Sequence, residues 1–110
     1  MATTGIDVGR MRVASEHATR LMRALANPDR LLLLCHLSQG ERCVSELADN
    51  LGIVQPTLSQ QLTVLRSEGL VTTRREGKWI YYSIRDPNAL TVLETLYRLF
   101  CGSKGVRRAR

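Results

Sequence analysis

Hydrophobic periodicity, read together with capping residues and helix breakers, predicts five helices along the chain. Apolar side chains recur every three or four positions, as on a helix with one buried face. Asn27-Pro28 and Asp86-Pro87 each pair a capping residue with a proline suited to the first helical position. The predicted helices cover residues 11–26, 28–39, 46–51, 55–68 and 86–100.

The middle of the chain has the element order of a winged helix-turn-helix. A short helix capped by Ser45 precedes a second helix, whose inward stripe consists of leucines at helical spacing. These leucines are Leu58, Leu62 and Leu65. Two β-prone runs, 70–74 and 79–84, then flank a hairpin turn at 75–78. The predicted fold is therefore mainly α with a β-hairpin wing.

Length and charge narrow the class of protein. The chain has 110 residues, enough for one domain, which we expect at 11–101 between a flexible segment at 1–10 and a basic flexible tail at 102–110. Sixteen basic against ten acidic residues give a net charge of +6, which favours a polyanionic partner. No apolar run could span a bilayer and no signal-peptide pattern is present. We therefore expect a cytoplasmic protein with reduced thiols and no membrane partner.

The outward face of the second helix carries short polar side chains, which suit a helix in the major groove of double-stranded DNA. The candidate DNA-binding residues of this helix are Gln55, Pro56, Thr57, Ser59, Gln60 and Thr63. Gln60 best fits bidentate recognition of an adenine. Arg74, Arg75 and Lys78 at the hairpin suit contacts to the DNA backbone or minor groove. Two alternatives stay open: the polar face is only solvated, or Gln55 and Thr57 act as helix caps.

Other classes of protein find less support in the residues. Cysteine, histidine and aspartate occur in no nucleophile–base pattern, and there is no glycine-rich phosphate loop, so we expect no enzyme and no cofactor. A winged helix that binds only another protein is a further alternative. Such a protein would lack the salt-sensitive DNA affinity that counterion release produces.

Several short motifs together resemble the ArsR/SmtB family of bacterial repressors. They are ALANPDRL at 24–31, SEL at 45–47, SQQLTVL at 59–65, EGLV at 68–71 and IYYSI at 80–84. The resemblance extends roughly over residues 14–101. It implies a winged-helix homodimer with its first and last helices as the interface, and a repressor that leaves its operator when an inducer binds. The apolar faces of the first and last predicted helices fit such an interface, although a monomer could use them as core.

Within this family the chain is most similar to a thiol-based branch, whose members sense reactive sulfur species or oxidants. The matching segments are LCHL at 34–37, QPTLSQQL at 55–62 and YRLFC at 97–101. The resemblance implies that Cys35 and Cys101 are a redox switch, which a persulfide or an oxidant links. Residue chemistry alone favours a small core filler at Cys35. It places Cys101 at a helix C-terminus, where the helix dipole disfavours a thiolate.

A metal- or metalloid-responsive repressor is the alternative within the family. The segment 41–45 resembles the metal-binding segment of the arsenic and cadmium sensors, but Ser45 stands where the second cysteine should be. Zinc sensors place histidines and carboxylates on the last helix, whereas His17 and His36 lie outside it. A soft-ligand site could still be built from Cys35, Cys43 and Cys101. We expect no metal site, and we expect Cys43 to lie in a loop without a functional role.

Overall fold

The computed structural model describes residues 4–102, which form five helices and a three-stranded antiparallel sheet. The helices are α1 (Val8–Leu25), α2 (Pro28–Leu37), α3 (Val44–Leu51), α4 (Thr57–Ser67) and α5 (Pro87–Cys101). The strands are β1 (Arg42–Cys43), β2 (Val71–Glu76) and β3 (Trp79–Ile84), in the order β1-β3-β2. The predicted fold class, mainly α with a hairpin wing, is confirmed.

The core is built around α2, which packs against α1, α3, α4, α5 and β3. Its leucines Leu33 and Leu34 are fully buried, and they meet the inward leucines of α4 in one cluster. This burial holds α4 at a fixed angle to the rest of the domain, because close-packed side chains resist displacement. Leu32 of the same helix is 47% exposed, so α2 is not buried on all sides.

The N-terminal helix begins earlier than periodicity predicts. It starts at Val8 rather than at residue 11, because the Asp7 carboxylate accepts a hydrogen bond from the Arg10 N–H at 3.1 Å and caps the first turn. Part of the segment expected to be flexible is therefore helical. Residues 1–3 of that segment, and 103–110 of the predicted basic tail, lie outside the described residues.

The start of α3 also differs from the prediction. The N-cap is Cys43 rather than Ser45, and the Glu46 carboxylate accepts a hydrogen bond from the Cys43 backbone N–H at 2.9 Å. Cys43 belongs at the same time to β1, which pairs with β3 and which the sequence analysis missed. The expected bland loop position for Cys43 is therefore wrong, because this residue joins the sheet to the helix-turn-helix.

The wing is a longer and tighter hairpin than predicted. β2 extends to Glu76, which pairs with Trp79, so the turn is reduced to Gly77 and Lys78. Gly77 has φ of 63°, the left-handed conformation that two-residue hairpin turns require. The arginines of β2 therefore lie on a paired strand and not in a loose turn.

Large apolar side chains remain exposed on the first and last helices. On α1 these are Val8, Met11, Val13 and Met22, and on α5 they are Tyr97, Leu99 and Phe100. Phe100 is 77% exposed although it lies near the end of a well-formed helix. Within residues 4–102 no helix is long and apolar enough to cross a membrane.

Candidate DNA interface and thiol pair

The polar face of α4 is presented to solvent as the sequence predicts. Leu58, Leu62 and Leu65 are buried to within 2% exposure on the opposite face. Gln60 and Thr63 are exposed, and across the described residues the Gln60 side chain makes no hydrogen bond. A free amide on an exposed helix face can donate to and accept from a base edge at the same time.

The beginning of α4 is organised by Gln55. Its side-chain oxygen accepts hydrogen bonds from the backbone N–H of Ser59 at 3.2 Å and from the Ser59 hydroxyl at 2.6 Å. Pro56 is exposed and Thr57 half-buried in the same turn. The open alternative of a cap thus holds for Gln55, because it satisfies one of the N–H groups that a helix leaves unpaired. No such bond involves the Thr57 side chain within residues 4–102.

Ser59 and Thr63 are also engaged within the helix. The Thr63 hydroxyl donates to the Ser59 backbone oxygen at 2.8 Å. Both side chains remain exposed, so their contacts can be exchanged for DNA contacts at low cost. Across residues 4–102, the side chains of Thr57 and Gln60 make no hydrogen bond, and of these two Gln60 is the exposed one.

The first wing arginine is held by acidic neighbours. Arg74 donates to Glu41 through Nη2 at 2.8 Å and through Nε at 3.1 Å, and its Nη1 lies 3.4 Å from Glu76. Its guanidinium also stacks on Tyr81, 4.8 Å from the ring centre. The same pairing lowers the pKa of the Glu41 carboxyl. The charge of Arg74 is therefore offset by two carboxylates. The sequence alone did not reveal these ion pairs.

The other two basic residues of the wing have no acidic partner in the part of the chain that is described. Arg75 donates through Nε to the Gly77 carbonyl oxygen at 3.2 Å, and Lys78 lies over the Trp79 ring at 5.5 Å. Lys78 lies in the turn of the hairpin and Arg75 lies on β2 just before it, and both are exposed. They are the wing residues whose charge is available to a phosphate.

Arg30, which the sequence analysis did not single out, joins three helices. From the first turn of α2 it donates to the Ala24 oxygen at 2.6 Å and the Arg23 oxygen at 3.1 Å, at the end of α1. Its Nη1 donates to Gln61 of α4 at 2.8 Å. The guanidinium thus caps α1 and fixes the orientation of α4. The motif at 24–31 is the sequence signal that includes Arg30, but the contact with Gln61 spans 31 positions and could not be predicted from it.

The two cysteines of the predicted switch lie on helices that pack together. Cys35 is on α2 and Cys101 is the last residue of α5; both are half-buried free thiols. Burial raises the pKa of the Cys35 thiol, and the nearby charge of Cys101 raises it further. The two thiols are therefore carried by helices in contact with each other, and the pKa of the Cys35 thiol lies above its ordinary value.

Cys43 stands apart from this pair. Its thiol is buried and lies 3.3 Å from the Ser45 hydroxyl. Among residues 4–102, no three histidine, cysteine, aspartate or glutamate side chains are grouped so that they could hold a metal ion. The soft site imagined from Cys35, Cys43 and Cys101 is therefore not assembled in this structure.

The order of helices and hairpin, with a free polar face on α4, defines a winged helix-turn-helix domain of a transcriptional regulator. Residues 27–73 match the family model described as "Bacterial regulatory protein, arsR family". The chain is 53% identical over 81 residues to the biofilm growth-associated repressor of Agrobacterium fabrum, covering 74% of this chain and 69% of that one. The chain belongs to the arsR family of bacterial regulatory proteins.

Solved structures give the same result. The transcriptional repressor BigR from Xylella fastidiosa superposes with a TM-score of 0.84 at 42% identity, over 87% of this chain and 98% of that one. The homodimeric winged helix-turn-helix DNA-binding domain of a possible ArsR-family regulator from Mycobacterium bovis has a TM-score of 0.71 at 31% identity. That match covers 100% of this chain and 99% of the other. The family resemblance is confirmed, as is the expectation of a regulator rather than an enzyme.

Proposed function

We propose that the chain is a homodimeric repressor that binds operator DNA while Cys35 and Cys101 are reduced. Reactive sulfur species or an oxidant link these cysteines, and the operator is released. The observation that carries the proposal is the placement of two half-buried free thiols on two helices that pack together. The similarity to named repressors supports the regulatory part.

The DNA contacts follow from the exposed groups of α4 and the wing. Gln60 and Thr63 read base edges, and the first turn of α4, from Gln55 to Ser59, positions that helix on the DNA backbone. Arg75 and Lys78 contact phosphates or the minor groove beside the half-site. A two-fold dimer places two such helices in successive major grooves, so the operator is a pseudo-palindrome with half-sites about one helical turn apart.

Exposed apolar surface on α1 and α5 supports the dimer. Val13 is 84% exposed, and Leu99 and Phe100 are 70% and 77% exposed. Burying such side chains against a second copy removes apolar area from water, which a small domain cannot achieve alone. The homodimeric Mycobacterium bovis domain, of nearly the same length, is consistent with this arrangement.

A link between Cys35 and Cys101 would act on the dimer through α5. It would tie the end of α5 to α2, whose leucines hold the buried face of α4. A change in how α5 leaves the core alters the angle between the two protomers, and therefore the distance between their recognition helices. Helix movements of this kind at subunit interfaces separate the two states of many regulators.

The covalent steps can be written without an external electron acceptor when the inducer is a persulfide. A thiolate attacks the outer sulfur of the persulfide, a new S–S bond forms, and the carrier leaves as a thiolate. The second cysteine then attacks the protein persulfide and expels hydrosulfide, which leaves a disulfide. Alternatively, two protein persulfides combine, release hydrogen sulfide and leave a trisulfide. With hydrogen peroxide, the two thiols give a disulfide and two molecules of water.

Operator binding by the reduced protein under argon tests the proposal, measured before and after addition of glutathione persulfide, hydrogen peroxide or Zn(II). Intact mass is recorded on each sample. Release with added sulfur or loss of two hydrogens, confined to a peptide pair containing Cys35 and Cys101, is the expected result. Cys35→Ser and Cys101→Ser should each abolish release. Cys43→Ser is the matched control, because serine keeps the backbone N–H that donates to Glu46, and it should respond like the wild type.

The outcomes separate the candidate inducers. Release by the persulfide alone identifies a reactive-sulfur sensor, whereas release by peroxide as well identifies a general redox switch. Release by Zn(II) with unchanged cysteine masses would overturn the thiol switch. Retention of the response in Cys35→Ser would do the same.

A further inference from the structure

A cleft between α2 and α5 opens directly beside Cys35. It encloses about 670 Å³ and is lined by Cys35, Ser38, Gln39, Glu94, Tyr97 and Arg98, with leucines of α5 at its floor. This volume lies within the range of pockets that hold small ligands. Cys35 shares the lining of this cleft with two charged side chains of α5, so a small molecule held in the cleft lies beside both the thiol and these charges.

Two of these side chains carry opposite charges that do not pair with each other. Glu94 and Arg98 are four residues apart on one helix, the spacing at which such side chains usually form an ion pair. Here the Arg98 Nη2 donates to the Thr95 hydroxyl at 3.4 Å instead. Within the described part of the chain, no ion pair involves either residue. A free carboxylate and a free guanidinium therefore face the same cleft, next to a thiol.

We infer that this cleft receives the organic part of a zwitterionic amino-acid persulfide, with Arg98 binding its carboxylate and Glu94 its ammonium group. A ligand with both groups satisfies both unpaired side chains at once. A guanidinium is well suited to a carboxylate, because its N–H groups form a planar fork. Ser38 and Gln39 also line the cleft and add hydrogen-bonding groups for a peptide-like carrier. This inference rests on the proposed function and names the inducer class of that same thiol.

The reaction is a transfer of one sulfur atom. The Cys35 thiolate attacks the outer sulfur of the persulfide, so that an S–S bond forms between Cys35 and that sulfur while the S–S bond of the carrier breaks. The electron pair leaves with the carrier as a thiolate, and the persulfide proton stays on the transferred sulfur. Neither Glu94 nor Arg98 touches the reacting sulfurs; both are positioning residues that select the carrier.

Three carriers that differ in which charged groups they contain test the inference. They are the persulfides of cysteine, 3-mercaptopropionate and cysteamine. The first has both charged groups, the second only the carboxylate and the third only the ammonium. The readout is the initial rate at which sulfur is added to Cys35, followed by mass spectrometry on Cys101→Ser protein, so that the second step cannot interfere. Cys101→Ser protein without a substitution in the cleft should react fastest with the cysteine persulfide.

Two variants should produce a crossed pattern. Arg98→Gln should slow the two carriers with a carboxylate by about two- to fivefold, the size expected for a partly exposed charge pair, and leave the cysteamine persulfide unchanged. Glu94→Gln should slow the two carriers with an ammonium group and leave the mercaptopropionate persulfide unchanged. Arg85→Gln and Asp49→Asn make the same charge changes outside the cleft and should alter no rate. A general loss of structure would slow all three carriers alike.

Equal slowing of all carriers, or unchanged rates in both variants, would overturn the inference while the thiol switch stands. If no carrier adds sulfur to Cys35 in Cys101→Ser protein without a cleft substitution, and the persulfides also fail to release the operator from wild-type protein, the persulfide route of the proposed function fails instead. The two failures are therefore distinguishable in one set of measurements.

Discussion

The two neighbouring arginines of the wing should contribute very differently to DNA affinity. Arg74 is held by Glu41 at 2.8 and 3.1 Å and lies 3.4 Å from Glu76, so two carboxylates already offset its charge. Arg75 donates only to a backbone carbonyl, that of Gly77, among the described residues. Replacing each arginine with glutamine removes the same formal charge from adjacent positions on one strand. Each variant is therefore the control for the other.

The expected magnitude comes from counterion release. Each phosphate neutralised by a protein contributes about −0.9 to the slope of log K against log salt concentration. A homodimer has two wings, so Arg75→Gln should make the slope shallower by about 1.8. Between 50 and 200 mM salt, the affinity ratio of wild type to this variant should then shrink by about tenfold. For Arg74→Gln the slope should change by less than about 0.5, because its charge is already neutralised.

Fluorescence anisotropy measures these slopes on a labelled duplex selected from a random library by the wild-type dimer. Affinities are recorded at four or more salt concentrations with reductant present, so that the cysteines stay reduced. An equal change of slope in the two variants would refute the reasoning, since Glu41 and Glu76 would then not hold the charge of Arg74. A change in Arg74→Gln alone would reverse the assignment of the two residues.

Three further predictions concern stability, thiol chemistry and assembly. Arg30→Gln should lower the free energy of unfolding by about 1–3 kcal/mol in urea titrations, because partly buried acceptors at the end of α1 and on Gln61 lose a charged donor. An unchanged midpoint would contradict this. Burial raises the pKa of the Cys35 thiol. In Cys101→Ser protein, the alkylation rate of Cys35 should therefore still increase with pH where the rate of free cysteine has already reached its plateau. If the two rates reach their plateaus at the same pH, the Cys35 thiol is not desolvated. Phe100 is exposed at the end of α5, so Phe100→Asp should give a monomer in sedimentation experiments. Operator binding should weaken by about 100-fold or more, because a monomer cannot bind both half-sites at once. A stable dimer would exclude this end of α5 from the interface.

The helices and their buried faces could be predicted from the sequence because their signals are local and repeated. The leucines of α4 recur with the period of a helix, and the capping pairs at Asn27-Pro28 and Asp86-Pro87 mark starts that the structure places correctly. β1 has two residues, too few to show any periodicity, and it forms only because β3 pairs with it. Its absence from the prediction explains why Cys43 was misplaced.

The candidate site could be predicted as a set of residues but not as a set of contacts. Gln60 and Ser59 look alike as polar residues on one helix face, yet only the three-dimensional structure shows that Ser59 is bound by Gln55. In the same way, Arg74 and Arg75 are adjacent and chemically identical. What separates them is Glu41, thirty-three positions away from Arg74 in the chain. Contacts between remote side chains leave no pattern that one sequence can reveal.

The cleft beside Cys35 has a consequence for how proteins of this kind can diversify. Its lining comes from α2, the residues that follow α2, and α5, and includes no residue of α3, α4 or the wing. Substitutions that change which small molecule enters the cleft therefore leave the DNA-reading surface untouched, and the reverse also holds. If the inducer enters this cleft as we propose, inducer preference and operator preference can be exchanged independently in evolution, or by an engineer who wishes to place a new gene under the control of the same chemical signal.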